Sequence, residues 1–182
     1  MAELPPRVIN LISRQVLKLQ AQPPEGVLPL IDEDDPTNVQ ADIKGPDSTP
    51  YHGGTFRCRL EFASDFPQTP PKGYFLTKLF HPNISAAGEI CVNTLKRDWN
   101  PANWSLIHIM QVVRCLLVEP FPESALNEEA GRLFMEDYRA YFEHAKLLTQ
   151  VHAMARQTEM AVEEVKKPRS KLDQLKKWMR RT

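Results

Sequence analysis

Phe56, Cys58, Leu60 and Phe62 are apolar residues at strict two-residue intervals. Side chains alternate faces along a strand, so this spacing puts all four on one side of a half-buried β-strand. Val39, Ala41 and Ile43 repeat the pattern upstream. Residues 27–31 read as a shorter strand before them, and residues 73–76 as a fourth after them. The connections are turn-forming: Gly45, Pro46, Gly53 and Gly54 in one, Pro67, Pro70 and Pro71 in another. Four successive strands joined in this way imply an antiparallel meander.

Helices flank the strands, which makes the class α+β. Pro5 and Pro6 suit a helix start. Val8, Ile12, Val16 and Leu19 then recur at helical spacing to about Gln20. Arg7, Arg14 and Lys18 lie on the outer face of that helix, and Pro23 and Pro24 end it. Beyond the strands, Ser105 suits the cap of a helix with Leu106, Ile109, Val112, Val113 and Leu116 as its apolar positions. Cys115 sits on it, in the core or in a groove. Pro120 and Pro122 break this helix. Ser124 is the expected cap of the next, to about Glu136. From Asp137 a long helical pattern runs past Val151 to about Lys167, where Pro168 stops it. The chain thus divides into a compact domain over 1–155 and a helical, basic extension over 156–182.

Composition narrows the setting. No apolar run reaches membrane-spanning length, and the first residues lack a signal-peptide pattern. Three widely spaced cysteines, Cys58, Cys91 and Cys115, argue against disulfides or a metal site and for a reducing compartment, cytoplasmic or nuclear. Net charge is zero, but residues 151–182 hold nine Lys or Arg against four Asp or Glu. In the tail, Leu172, Leu175, Trp178 and Met179 share a helical face, with Lys171, Lys176, Lys177, Arg180 and Arg181 around them. A short basic helix with an apolar face suits a protein groove better than nucleic acid or a membrane.

Residues 80–95 carry the candidate chemistry. Pro82 biases His81 away from helix, and Gly88 permits a turn of positive φ. Cys91 follows Asn83 by eight residues. A side-chain amide beside a nucleophilic sulfur is what a tetrahedral oxyanion requires. A lone cysteine is equally readable as a small buried hydrophobe.

The order His81-Pro82-Asn83, seven residues, then Cys91 resembles the active-site signature of ubiquitin-conjugating enzymes. The loop Gly45-Pro46, Thr49-Pro50-Tyr51 and Gly53-Gly54 is similar to that family's, and the resemblance extends over about residues 5–152. It implies that Cys91 accepts activated ubiquitin as a thioester and passes it to a lysine amine, with Asn83 steadying the oxyanion and His81 and Pro82 shaping the loop. No cofactor is implied on the chain itself, because the activating enzyme uses ATP upstream. Arg7, Arg14 and Lys18 would dock that enzyme; a solvated face is the alternative. Many relatives place an Asp where Ser124 stands. The resemblance passes its task, orienting the acceptor lysine, to Glu128, for which a first-turn residue favoured by the helix dipole is the alternative.

Within the family the closest likeness is to the chain-elongating S-type subclass that works in the cell cycle with the anaphase-promoting complex. It rests on residues 71–78, 88–99 and 122–133. It implies docking on the ligase through the tail: Leu172, Leu175, Trp178, Arg180 and Arg181. Three features depart from the pattern. Thr182 stands where a final leucine is expected, the linker before the tail is short, and Gln68 replaces the aromatic that general relatives use to grip RING ligases. Competing readings are a catalytically inactive ubiquitin-binding scaffold, a conjugating enzyme for a ubiquitin-like modifier, and a cysteine hydrolase with His81 or His108 as base.

Overall fold

The computed structural model describes residues 4–32, 34–96 and 99–154. Its elements follow the order α1 (Pro6–Ala21), β1 (Val27–Leu30), β2 (Val39–Lys44), β3 (Thr55–Glu61), β4 (Lys72–Phe75), α2 (Val92–Lys96), α3 (Leu106–Leu116), a 3-10 turn (Pro122–Ser124), α4 (Glu128–Glu136) and α5 (Tyr138–His152). The strands form one antiparallel sheet in chain order, which is the expected meander.

Alternation builds the core. In the register, Ala41 faces Cys58 and Ile43 faces Phe56, while Cys58 also faces Phe75; all five are buried. From α1, Val8, Ile12, Val16 and Leu19 join the same core. Full burial of each such side chain contributes about 1.5–3 kcal/mol. The opposite face of β2 carries Asp42, only 1% exposed, directly across from Arg57. The guanidinium grips both carboxylate oxygens, at 2.9 and 2.8 Å. Losing one partner of such a pair strands a buried charge and costs roughly 3–5 kcal/mol.

α3 starts as expected, its Ser105 side chain accepting from the His108 amide. Met110 is buried in the core, whereas Val112 is only half-buried. The next helix starts differently. Ser124 closes the 3-10 turn, and Asn127 caps α4 by accepting from the Ala130 amide. Both are good cap residues, but Ser124 lies in a segment held by hydrogen bonds to the active-site turn. α5 is capped by Asp137 and closes at His152, with the Ala153 amide on the Thr149 carbonyl. Ala153 interrupts the helix and Met154 is again helical; the remainder of the helical pattern expected to about Lys167 lies outside the described residues. Leu172, Leu175, Trp178, Arg180 and Arg181 lie outside the described residues, as does the boundary drawn at 155.

Candidate active site

Cys91 stands at the end of a small hairpin. Ile84 bridges Ile90, the Ser85 amide donates to the Glu89 carbonyl at 3.0 Å, and the Gly88 amide returns to Ser85. Gly88 turns the chain at φ +87°, and a Cβ there would overlap the Phe75 carbonyl. Only glycine meets both demands. The hairpin is bonded to β4, Phe75 donating to Gly88 and Ile90 to Gly73. Residues 81–91 form no named strand: they are turns tied down by two isolated bridges, Ile84 to Ile90 and Tyr74 to Glu89, and α2 begins on the residue after Cys91. The Cys91 amide donates to the Asn83 carbonyl at 2.9 Å, which fixes the two residues side by side. The Cys91 side chain lies just below the surface, the residue 5% exposed.

His81 is fully buried. Its Nδ1 accepts from the Asn83 amide at 3.0 Å, so the proton is on Nε2, which donates to the Leu116 carbonyl at 2.9 Å. Burial pushes its pKa down to about 4, and the Leu116 bond opposes this only in part. A neutral imidazole with both nitrogens engaged braces the turn and is no base for a thiol. The Pro82 carbonyl accepts two amides, from Leu126 at 2.8 Å and Asn127 at 3.0 Å, and so seats the start of α4 against the turn.

Asn83 is placed beside Cys91 as expected, but its side chain is committed elsewhere. Nδ2 donates to the carbonyls of Phe121 at 2.6 Å and Ser124 at 3.1 Å, and Oδ1 accepts from the Phe121 amide at 2.8 Å. Both amide hydrogens are in use, so the spare donor inferred from sequence is absent in this state. Glu128 opens α4 directly after Asn127, the second residue on the Pro82 carbonyl, with its carboxylate exposed. Arg7, Arg14 and Lys18 are all exposed on α1, at spacings of seven and four that form one stripe. Gln68 is exposed in the loop before β4.

The other thiols differ from Cys91. Cys58 has no exposure, on the face that the alternation assigns it, and burial pushes its pKa up to about 12, which suits inert packing. Cys115 is exposed on the wall of a groove of about 690 Å³ lined also by Leu95, Trp99, Ile109 and Phe121. Groove rather than core is therefore its place. Among the described residues, no group of three or more His, Cys, Asp or Glu is arranged to hold a metal, and no helix is long and apolar enough to cross a membrane.

Sequence reasoning missed two hydroxyls. Tyr51 bonds the Phe80 carbonyl, one residue before His81, and also the Tyr141 hydroxyl, each at 2.7 Å. Thr49-Pro50-Tyr51 marked the first, but nothing local marked Tyr141, 90 residues away.

A four-stranded meander between helices, carrying a cysteine on a hairpin beside a His-Pro-Asn turn, agrees with the family comparison: residues 11–149 match the ubiquitin-conjugating enzyme model. The chain belongs to the ubiquitin-conjugating enzymes, transferases that work through a cysteine thioester. It is similar to ubiquitin-conjugating enzyme E2 S, at 54% identity over 151 residues with the Danio rerio protein and 53% over 152 with the Homo sapiens one. These alignments cover 83% and 84% of this chain and 68% of each relative. Ubiquitin-conjugating enzyme E2 22 of Arabidopsis thaliana is 53% identical over 150 residues, 82% of this chain and 59% of that protein.

Proposed function

We propose that Cys91 accepts activated ubiquitin from the activating enzyme and that the chain then elongates ubiquitin chains on a ligase of the anaphase-promoting type. The observation that carries this reading is the Cys91–Asn83 backbone bond. It holds the thiol at the end of a stitched hairpin, against a turn whose histidine is locked neutral. That arrangement suits a thiol that carries an acyl group between proteins and argues against a hydrolase with His81 as base. In the transfer, the lysine nitrogen attacks the thioester carbonyl. The C–N bond forms, the C–S bond breaks, the thiolate leaves, and the amine proton passes to water or to Glu128. Thiolate is a competent nucleophile and leaving group for this exchange.

Asn83 supports the oxyanion in this reading by releasing Ser124, the longer of its two donated bonds, and turning that hydrogen toward the thioester. Arg7, Arg14 and Lys18 dock the activating enzyme through the stripe on α1. Leu172, Leu175 and Trp178 enter the ligase, with Arg180 and Arg181 on acidic rims; the exposed amide of Gln68 in the loop before β4 favours this route over ordinary RING docking. The setting is cytoplasmic or nuclear, and ATP is used by the activating enzyme alone.

Incubation with activating enzyme, ubiquitin and ATP should add one ubiquitin at Cys91, reversibly by reductant. Free chains should form, their linkage read by mass spectrometry. No mass gain would favour the inactive scaffold, and gain only with a ubiquitin-like protein would reassign the modifier. Deleting residues 169–182 should leave charging intact and abolish ligase-stimulated extension. An undiminished response would remove the tail from the reading.

A further inference from the structure

We propose that Tyr141, on α5, is a positioning residue for the transfer: through the Tyr51 hydroxyl it fixes the peptide that leads into the His81–Asn83 turn. The inference rests on the reading of Cys91 as the thiol that carries ubiquitin.

The hydrogen order follows from valence. A carbonyl only accepts, so at the 2.7 Å contact the Tyr51 hydroxyl donates to the Phe80 oxygen. A phenol has one hydrogen. At the second 2.7 Å contact, between Tyr51 and Tyr141, the donor must therefore be Tyr141. Burial holds both phenols above their ordinary pKa, so both keep that hydrogen. Each residue is 1% exposed. The result is a one-way chain: Tyr141 to Tyr51, Tyr51 to Phe80. A donor that itself accepts is polarised and donates more strongly.

The chain continues through atoms already described. The Phe80–His81 peptide sets the start of the turn, and the Tyr51 ring lies 5.9 Å from the His81 ring. His81 accepts from the Asn83 amide, and the Asn83 carbonyl accepts from Cys91. Phe80 is also stacked on His144 at 4.1 Å, and Tyr141 packs edge-on against Phe134 at 5.2 Å. Helix α5 thus holds the approach to the turn by one polar contact, through Tyr51, and by ring contacts of Tyr141 and His144 with Phe80. None of these groups touches a reacting atom.

Hydroxyl deletion separates the polar contact from packing. Tyr141→Phe keeps the ring and leaves Phe80 its donor. It should load ubiquitin as wild type does but discharge to lysine roughly threefold to tenfold more slowly at saturating lysine, the worth of one hydrogen bond, with the half-saturating lysine concentration unchanged. Amide hydrogen exchange at Asn83 and Cys91, followed without any ubiquitin, should accelerate. Tyr51→Phe should be slower still, and adding Tyr141→Phe to it should cost nothing more, because Tyr141 acts through Tyr51. Wild-type exchange and discharge in Tyr141→Phe would overturn the inference, as would independent losses in the double variant. Should Tyr51→Phe fail to fold, Tyr141→Phe alone decides by the same two readouts. A wild-type chain that does not load would overturn the reading of Cys91 itself; normal loading with unchanged exchange would overturn only the role of the hydroxyls.

Discussion

The His81–Asn83 turn and the first turn of α4 meet at the Pro82 carbonyl and differ in how their side chains are held. On the turn side, both His81 nitrogens and all three polar positions of the Asn83 amide are engaged in bonds of 2.6–3.1 Å. On the α4 side, Glu128 projects its carboxylate into solvent. The fixed side sets the shape of the turn before reaction, and in the proposed function only the Asn83–Ser124 bond has to give way. The exposed side meets whatever acceptor arrives. The turn beside Cys91 is thus held in shape, and in the proposed function acceptor recognition falls to the start of α4.

The largest effect should come at the thiol between the two flanks. Cys91→Ser is expected to end transfer to lysine completely, leaving an oxygen ester or no adduct on gels. Cys58→Ser and Cys115→Ser should still charge, and failure of either while folded would undo the assignment. Next comes the fixed flank. Asn83→Ala should load nearly normally and discharge more slowly by roughly 2.7–4 kcal/mol of barrier if Asn83 serves the oxyanion. It should also lower stability by about 1–3 kcal/mol in urea, since it removes three side-chain bonds to the backbone of Phe121 and Ser124. Stability loss with wild-type discharge would make Asn83 a brace only.

His81 gives the fixed flank a pH signature. Its folded pKa, about 4, lies below the ordinary histidine value of about 6.5. The unfolded chain therefore binds a proton more readily, and stability falls as pH drops from about 6.5 towards 4. Below that range the loss levels off, at roughly 3 kcal/mol for this group. Urea unfolding across the window, with the His81 ring followed by NMR, would show it; titration of His81 near its ordinary value would refute the locked ring. The smallest change is expected at the exposed flank. Glu128→Ala should slow chain formation more than discharge to free lysine, and equal slowing would return Glu128 to a helix-dipole role.

Sequence legibility follows a similar division. The sheet, α1 and the Ser105 cap were readable because alternation, helical spacing and capping are local codes. The adjacency of Cys91 and Asn83 and the positive φ of Gly88 were readable as well, from the motif and its glycine. What escaped depends on contacts across the chain. The Asn83 amide is consumed by residues 38 and 41 positions away. Those same bonds hold Ser124 in the 3-10 turn and leave the cap to Asn127, a choice propensity could not make between two good cap residues. Tyr141 has no local signature at all.

The hairpin that carries Cys91 also has a consequence for solubility. The sheet ends on one side at β1, where Pro29 interrupts the row of donors, and on the other at β4. An open strand edge invites pairing with another chain. Here residues Gly88 and Ile90 occupy the Phe75 and Gly73 positions along β4. The hairpin that carries Cys91 is thus also the cover of a strand edge that would otherwise be open. A lesion such as Gly88→Ala would uncover that edge as well as displace the thiol, so such variants should be lost to precipitation before their catalysis is ever measured.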